Sequence, residues 1–149
     1  MTIARATDAD WPAIEALLVD AGLPLDGARE AFATGVVARD GEAVIGAAAV
    51  EPLGRIGLLR SVAVRADRRR TGVGHALVAA AESLARSTSL DQLYLLTESA
   101  QPFFASLGYE ASSRADAPAA VAATDEFRVA CPDTAVLMVR RVVSPVGGA

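Results

Sequence analysis

The sequence predicts a single α/β domain of the α+β kind, in which helices flank a central sheet. Three observations predict it: β-type segments recur along the chain, segments with helical periodicity separate them, and an Asp-Gly turn joins two neighbouring strands. The 149 residues are 52% hydrophobic and 21% charged, which is typical of a globular domain with one core. Since no linker or repeat interrupts the pattern, we expect one domain over residues 1–149, with a flexible tail at 143–149.

The N-terminal part is predicted to form a strand and two helices. The strand covers residues 2–6. Thr7-Asp8-Ala9-Asp10 then fits a capping box, in which a Thr and an acidic residue three positions later satisfy free backbone amides, so a helix follows. Gly22 is expected to end that helix, and an Ala-rich segment at 28–33 is a second, weaker helix.

A β-hairpin and a further strand are predicted next. Residues 36–39 and 43–50 are β-type, and Asp40-Gly41 between them supplies the positive φ angles of a tight turn. The further strand covers residues 56–64.

The C-terminal half is predicted to alternate helices and strands. A strand at 90–97 precedes a short helix that Pro102 and Gly108 bracket, and a turn or two of helix at 118–124 precedes a last strand at 135–140. The longest helix is expected at 72–86, because one face carries apolar residues at helical spacing: Val73, Leu77, Ala80, Ala81 and Leu84.

Scarce residue types exclude several kinds of chemistry. The sequence has one Cys, one His and no Lys. Cys131 therefore cannot form an internal disulfide or, with His75, hold a structural zinc ion, and neither a Schiff-base lysine nor a P-loop is present. The net charge of −4 argues against a nucleic-acid-binding domain. The N-terminal residues lack the apolar region of a signal peptide and no run could span a bilayer, so we expect a cytoplasmic protein without membrane or metal.

A basic, glycine-containing turn between a strand and a helix is the most informative stretch. Four arginines lie between residues 65 and 70, and Gly72 and Gly74 open the following helix. A helix N-terminus presents unpaired N–H groups with partial positive charge, and glycines let an anion approach them. We expect a polyphosphate ligand here, against the alternative of a solvated arginine run. A dinucleotide-binding fingerprint is excluded because Leu77 lies where that motif needs glycine. A Walker motif is excluded because it needs a lysine and the chain has none.

The segment Arg69-x-x-Gly72-x-Gly74 resembles motif A of the GNAT N-acetyltransferase superfamily, and Ala100–Tyr109 is similar to its second motif. The resemblance implies a mixed, mostly antiparallel sheet of six to seven strands, flanked by about four helices and splayed between the fourth and fifth strands. It also implies an enzyme that uses acetyl-CoA as co-substrate, and a homodimer.

By this resemblance, acetyl-CoA would lie in the splay between the two strands. Val62 and Val64 would lend backbone groups to its pantetheine arm. His75 would be a phosphate neighbour, with an exposed helix residue of no function as the alternative. The pyrophosphate would sit on the motif A loop and helix start, which comprise Arg69, Arg70, Thr71, Gly72, Val73, Gly74 and His75.

Acetyl transfer needs a neutral amine, a stabilised oxyanion and a proton for the departing thiolate. Glu51 is the expected base or ammonium anchor, with a solvated acid at a strand end as the alternative. The oxyanion is expected near a backbone N–H around Val62.

The group that protonates the departing thiolate is not the tyrosine that the resemblance implies. Phe104 lies where the resemblance implies a Tyr acid, so another group or water must protonate the thiolate. Thr97, which ends a strand at the expected splay, is our candidate, and Ser106 and Tyr109 are alternatives, the latter more typical of a core residue.

Parts of the chain further resemble the small N-acetyltransferases of bacterial arsenic-resistance clusters, of the arsinothricin type, and the acetyltransferase domain of N-acetylglutamate synthase. The first likeness includes Leu58–Val64, Tyr94–Thr97, Phe103–Tyr109 and Glu126-Phe127, and the second depends on the strand that ends in Leu96-Thr97 and on the paired aromatics Phe103 and Phe104. Both imply a small glutamate-like amine as acceptor, of the arsinothricin or phosphinothricin type, whose acidic groups suit arginine.

Arg60, inside an apolar strand, is expected to bind that acceptor, with an internal ion pair to Glu51 as the alternative. Arg114 is a second candidate, and Cys131 is expected to be a buried structural residue. Three other functions stay open: a non-catalytic acyl-CoA-binding module, an enzyme that acetylates a polyamine or a peptide, and, ranked last, nucleic-acid binding through residues 65–70.

Overall fold

Seven strands form one mixed sheet in the computed structural model, which describes residues 1–130 and 134–142. In chain order the strands are β1 (Thr2–Arg5), β2 (Gly35–Asp40), β3 (Ala43–Leu53), β4 (Ile56–Val64), β5 (Gln92–Thr97), β6 (Glu110–Ser112) and β7 (Val136–Arg141). Their order across the sheet is β1-β2-β3-β4-β5-β7-β6, and β4 and β5 pair in parallel whereas the other described pairs are antiparallel. This architecture confirms the predicted α/β fold. The predicted tail at 143–149 and Cys131 lie outside the described residues, so those two predictions stay predictions.

Helices cover both faces of the sheet. They are α1 (Trp11–Asp20), α2 (Ala28–Ala31), α3 (Val73–Ser87), α4 (Gln101–Ser106) and α5 (Ala119–Ala122). Val36 and Ala48 pack in the cluster under α3, whereas Val37 and Ala47 pack in the cluster under α1. Since successive residues of a strand point to opposite faces, burial of both faces requires apolar residues at every position of these central strands. No helix within the described ranges has the length and apolarity to cross a bilayer.

The predicted capping box forms at the start of the first helix. The carboxylate of Asp10 accepts hydrogen bonds from the Thr7 backbone N–H (2.8 Å) and from the Thr7 hydroxyl (3.2 Å), and Arg39 on β2 donates to it at 2.7 Å. Burial acts to raise the pKa of Asp10, but these hydrogen bonds outweigh it and lower the pKa below its usual value. A short 3₁₀ turn at Asp8–Asp10 thus leads into α1.

Several boundaries differ from the prediction for identifiable reasons. Asp40 is the last residue of β2, paired with Ala43, and the turn consists of Gly41 and Glu42, with the positive φ of 62° at Gly41 alone. β3 continues through Pro52 to Leu53, because its antiparallel pairing with β4 extends that far. The three-residue strand β6 was not predicted, since it is too short to show periodicity.

The buried face of α3 is rotated slightly from the predicted one. Val73, Leu77 and Ala81 are buried as expected, whereas Ala80 and Leu84 are only partly buried. The face also buries the carboxylate of Glu82, which the apolar pattern did not indicate.

A buried polar cluster fastens α3 to the end of the sheet. The Tyr109 hydroxyl donates to Glu82 Oε2 at 2.9 Å, and Arg140 on β7 donates to both carboxylate oxygens at 2.8 Å. Burial, together with the negative charge of Glu82, raises the pKa of Tyr109. The phenol therefore remains a neutral hydrogen-bond donor.

We expect Tyr109→Phe to lower the free energy of unfolding by about 1 kcal/mol, because the substitution removes one buried hydrogen bond but leaves the Arg140 pair to Glu82 intact. Denaturant unfolding measures this. The matched control is Tyr94→Phe, since no hydrogen bond of the Tyr94 hydroxyl is found among the described residues. Equal losses in the two variants would contradict the assignment.

Candidate active site

β4 and β5 part halfway along their length. They pair only at Ile56 with Gln92, Gly57 with Leu93 and Leu58 with Tyr94, although β4 continues to Val64 and β5 to Thr97. Beyond Leu58, the edge of β4 that faces β5 therefore offers backbone N–H and C=O groups that none of the seven described strands pairs with. The predicted splay is confirmed.

A bulge in β4 coincides with this separation. On the other edge, Arg60 pairs with Ala49 and Ala63 with Ala47, so Ser61 and Val62 together oppose one residue of β3. Ser61 has a φ of 57°, which is uncommon for a residue other than glycine and is concentrated at functional positions. A bulge bends the strand and redirects its side chains, and this one lies where β4 leaves β5.

A cavity of about 480 Å³ fills the gap between the strands. Its lining includes the predicted residues Val62, Val64, Arg69 and Thr97, as well as Phe104 from α4. It also includes polar residues that the sequence reasoning missed, among them Ser61, Ser99 and Glu126.

The motif A loop connects this cavity to the start of α3. Arg69 donates from Nε to the Val64 carbonyl at 3.1 Å, and its Nη2 lies 3.7 Å from Asp20 Oδ2. Arg70 and Gly72 adopt left-handed conformations, with φ of 65° and 90°. The loop then enters the 15-residue helix α3, whose first N–H groups have no acceptor within the helix.

Gly74 and His75 both lie against Phe103. A Cβ atom on Gly74 would come within 3.2 Å of Phe103 Cζ, so a side chain here would press on that ring. The exposed imidazole of His75 packs edge-on against the same ring, with 5.2 Å between centroids. Val73 is buried in the core and Thr71 donates its hydroxyl to the Arg68 carbonyl, so these two present backbone, not free side chains, to a ligand.

The three hydroxyls considered as proton donors lie in different surroundings. Thr97 lines the cavity, and its oxygen accepts the Ala100 N–H at 3.0 Å, which leaves its proton available. Ser106 is exposed and donates to the Phe103 carbonyl at 2.5 Å. Tyr109 lies in the core with its proton given to Glu82. Thr97 is thus the one of these three in the cavity.

Arg60 forms the internal ion pair that the sequence allowed as an alternative. Its side chain is 0% exposed, Nη1 donates to Glu51 Oε1 at 3.0 Å, and Nη2 donates to the Asp26 carbonyl at 2.6 Å. Its Nε donates to Ser61 Oγ at 3.2 Å and lies 3.6 Å from Glu126 Oε1. A single cation is thereby placed between two carboxylates.

Glu126 is the carboxylate of this cluster that faces the cavity. It lies at the start of a π-helical turn, Glu126–Ala130, and is 4% exposed. Burial raises the pKa of Glu126 to about 7; Arg60 opposes this and the charge of Glu51 reinforces it. The sequence carried no periodic signal for this placement, because the turn is irregular.

Glu51 lies on the other side of Arg60. Its side chain is 26% exposed and lines a second cavity of about 360 Å³, to which Glu30 and Asp125 also contribute. Arg114 lies 4.5 Å above the ring of Phe127 and donates to the carbonyl of Ala135, a residue of the first cavity. Among the described residues, no group of three or more His, Cys, Asp or Glu side chains is placed to hold a metal ion.

The central part of the chain matches a known domain family. The acetyltransferase (GNAT) domain family matches residues 32–111, which is more than half of the chain. The chain belongs to the GNAT acetyltransferase family. This protein is therefore an acetyl-CoA-dependent N-acetyltransferase, as its motifs implied.

Solved structures share the GNAT fold at low sequence identity. Rv2747 from Mycobacterium tuberculosis, in a complex with CoA, matches with a TM-score of 0.80 and 23% identity, over 96% of this chain and 100% of that one. N-acetylglutamate synthase from Neisseria gonorrhoeae, complexed with coenzyme A and N-acetyl-glutamate, matches with a TM-score of 0.82 and 21% identity, over 96% of this chain but 35% of that one. An aminoglycoside 6'-N-acetyltransferase complexed with coenzyme A matches with a TM-score of 0.72 and 16% identity, over 97% of this chain and 98% of that one. No curated protein sequence matches significantly.

We expect Arg60→Met to cost about 3–5 kcal/mol of unfolding free energy at pH 8, because it leaves buried carboxylates without their cation. The cost should be smaller at pH 6. Without Arg60 the folded-state pKa of Glu126 rises further above its unfolded value, so the penalty grows as pH increases. Denaturant unfolding at the two pH values measures this, with exposed Arg55→Met as control. A loss independent of pH would contradict the coupling.

Proposed function

We propose that this GNAT enzyme transfers the acetyl group of acetyl-CoA to the amine of a small glutamate-like compound, of the arsinothricin or phosphinothricin type. The open edge of β4, leading to the start of α3, is the observation that carries the transfer. The likeness of the fold to N-acetylglutamate synthase supports the acceptor class. Cytoplasmic location stays a prediction from the sequence, and homodimer formation stays a prediction of the resemblance.

The donor would lie along β4 with its diphosphate at the motif A loop. Two features support this placement: unpaired backbone groups of β4 line one wall of the gap, and Arg69 lines the gap next to the motif A loop. Val62 and Val64 would bond the pantetheine amides, and the backbone of residues 69–75 would hold the diphosphate. In this arrangement Thr97 would donate a hydrogen bond to the departing sulfur and Val62 N–H would face the oxyanion.

The acceptor would meet charged groups beside the cavity. Glu51 lines the second cavity, so it is proposed to attract the ammonium through its negative charge and not by direct contact. Arg60 and Arg114 are proposed as partners for the acidic groups of the acceptor. Arg60 keeps its hydrogen bonds to Glu51 and to the Asp26 carbonyl in that arrangement. It therefore acts on the acceptor through the electrostatic field of its positive charge and through any guanidinium N–H group that the cluster does not use.

A second acceptor class is favoured by the acidity of the second cavity. Glu30, Glu51 and Asp125 line it, and three carboxyl groups suit a cationic acceptor such as a polyamine. The two classes are separable by assay.

We expect thiol release from acetyl-CoA with glutamate, phosphinothricin or arsinothricin, measured against polyamines and a lysine-bearing peptide. Higher kcat/KM for the amino acids supports the first acceptor class. Turnover with polyamines alone would replace it by the second. Tight binding of acetyl-CoA by calorimetry without turnover of any amine would mean a non-catalytic module.

We expect Arg69→Ala to weaken CoA binding about tenfold or more, because a charge-assisted hydrogen bond to phosphate contributes about 1.5–3 kcal/mol. The difference from wild type should shrink at high salt, since the arginine is exposed. Calorimetric titration with CoA measures both effects. Arg55→Ala, an exposed arginine paired with Asp91 elsewhere on the surface, is the control. Equal effects of the two substitutions would contradict the diphosphate placement.

A further inference from the structure

We propose that Glu126 is the general base of this reaction and takes a proton from the acceptor ammonium in the cavity between β4 and β5. The inference rests on the proposed acetyl transfer and adds a residue that motif reasoning left without a role.

The position of Glu126 suits proton transfer. Its side chain lines the cavity although the residue is 4% exposed, so bulk water is largely excluded from the carboxylate. Its partner Arg60 is 3.6 Å away, longer than a hydrogen bond, while the shorter contacts of that guanidinium go to Glu51 and the Asp26 carbonyl. As far as contacts among residues 1–130 and 134–142 show, the carboxylate of Glu126 therefore keeps lone pairs for a ligand in the cavity.

The charges around Glu126 set its basicity. Burial raises its pKa to about 7, with Arg60 from β4 lowering it and Glu51 from β3 raising it. Asp125 adjoins it in sequence and points to the second cavity. A base whose pKa lies near the working pH combines a useful ionised fraction with enough basicity to hold a proton.

Glu51 is less suited to the same step. Its Oε1 already accepts a 3.0 Å hydrogen bond from Arg60, so that oxygen is occupied within the cluster. Glu51 lines the second cavity, whereas Glu126 lines the one where the strands part. Glu51 is then a positioning residue toward Glu126, because its negative charge offsets part of the field of Arg60.

Glu126 removes one proton from the ammonium, and the freed nitrogen lone pair forms a C–N bond at the thioester carbonyl carbon. The C–S bond breaks with its electron pair going to sulfur, and a second nitrogen proton reaches the thiolate through neighbouring groups or water. Glu126 returns its proton to solvent, so each turnover yields the amide, CoA thiol and one proton.

The first test is the pH dependence of kcat/KM for wild type, Glu126→Gln and Glu51→Gln, using the best amine of the acceptor panel. Wild type should lose activity below about pH 7. Glu126→Gln should lower kcat about 100-fold or more and abolish that acidic limb. Glu51→Gln should retain the limb but shift it to lower pH, because the charge that raises the pKa of Glu126 is gone. Glu110→Gln, an exposed carboxylate on β6, should match wild type.

A second measurement does not depend on activity. Since the folded-state pKa of Glu126 lies above its unfolded value of about 4.5, the wild-type fold loses stability as pH rises between these values. The stability of Glu126→Gln relative to wild type should therefore increase from pH 5 to pH 7 and then level off. The urea midpoints of both proteins give this difference.

Each outcome has one meaning. An acidic limb retained in Glu126→Gln, or lost in Glu51→Gln alone, overturns the assignment while acetyl transfer stands. A stability difference that does not vary with pH also overturns it, because Glu126 then does not titrate in this range. Wild type without turnover for any amine removes the proposed function itself.

Discussion

The site depends on a break in strand pairing. β4 and β5 share three parallel pairs and then separate at Leu58 and Tyr94, and the bulge at Ser61 directs the rest of β4 away. Backbone groups that a continuous sheet would pair internally stay open there, and in the proposed binding mode they would hold an extended anionic thioester in an acidic chain without lysine. In that proposal the start of α3 at Val73 would hold the phosphates, since its first amides also have no partner within the helix.

The second organising feature is a buried cation between two carboxylates. Burial of Arg60 is tolerated because Glu51, Glu126 and the Asp26 carbonyl surround it, and this cluster ties β3, β4 and the π-helical turn together. Burial, with the negative charge of Glu51 beside it, disfavours ionisation of Glu126 and raises its pKa, and Arg60 offsets only part of this effect. Structural stability and the chemistry of the cavity are thus coupled through the same guanidinium.

Local patterns predicted the elements well where a sequence signal is dense. The capping box at Thr7 and Asp10, the hairpin near Gly41 and the apolar stripe of α3 each depend on neighbours within a few residues, and the structure contains all three. The strand β6 was not predicted, because three residues are too few to show an alternating pattern. The burial of Glu82 was not predicted either, because a carboxylate interrupts the apolar pattern of the buried face of α3. The sequence allowed Arg60 either to bind the acceptor or to form an ion pair with Glu51. Spacing alone could not decide between these roles, because Glu51 lies nine residues away on another strand.

The sequence by itself determined the fold class, the family and the place of the basic glycine turn before α3, because each is encoded in contiguous residues whose backbone preferences are local. Only the tertiary structure decided which side chains meet. Thr97 enters the cavity while Tyr109 is held by Glu82 in the core, and Glu126 reaches Arg60 from a segment 66 residues further along the chain. Such meetings follow from the packing of distant segments against one another, and that packing has no signature in a single stretch of sequence.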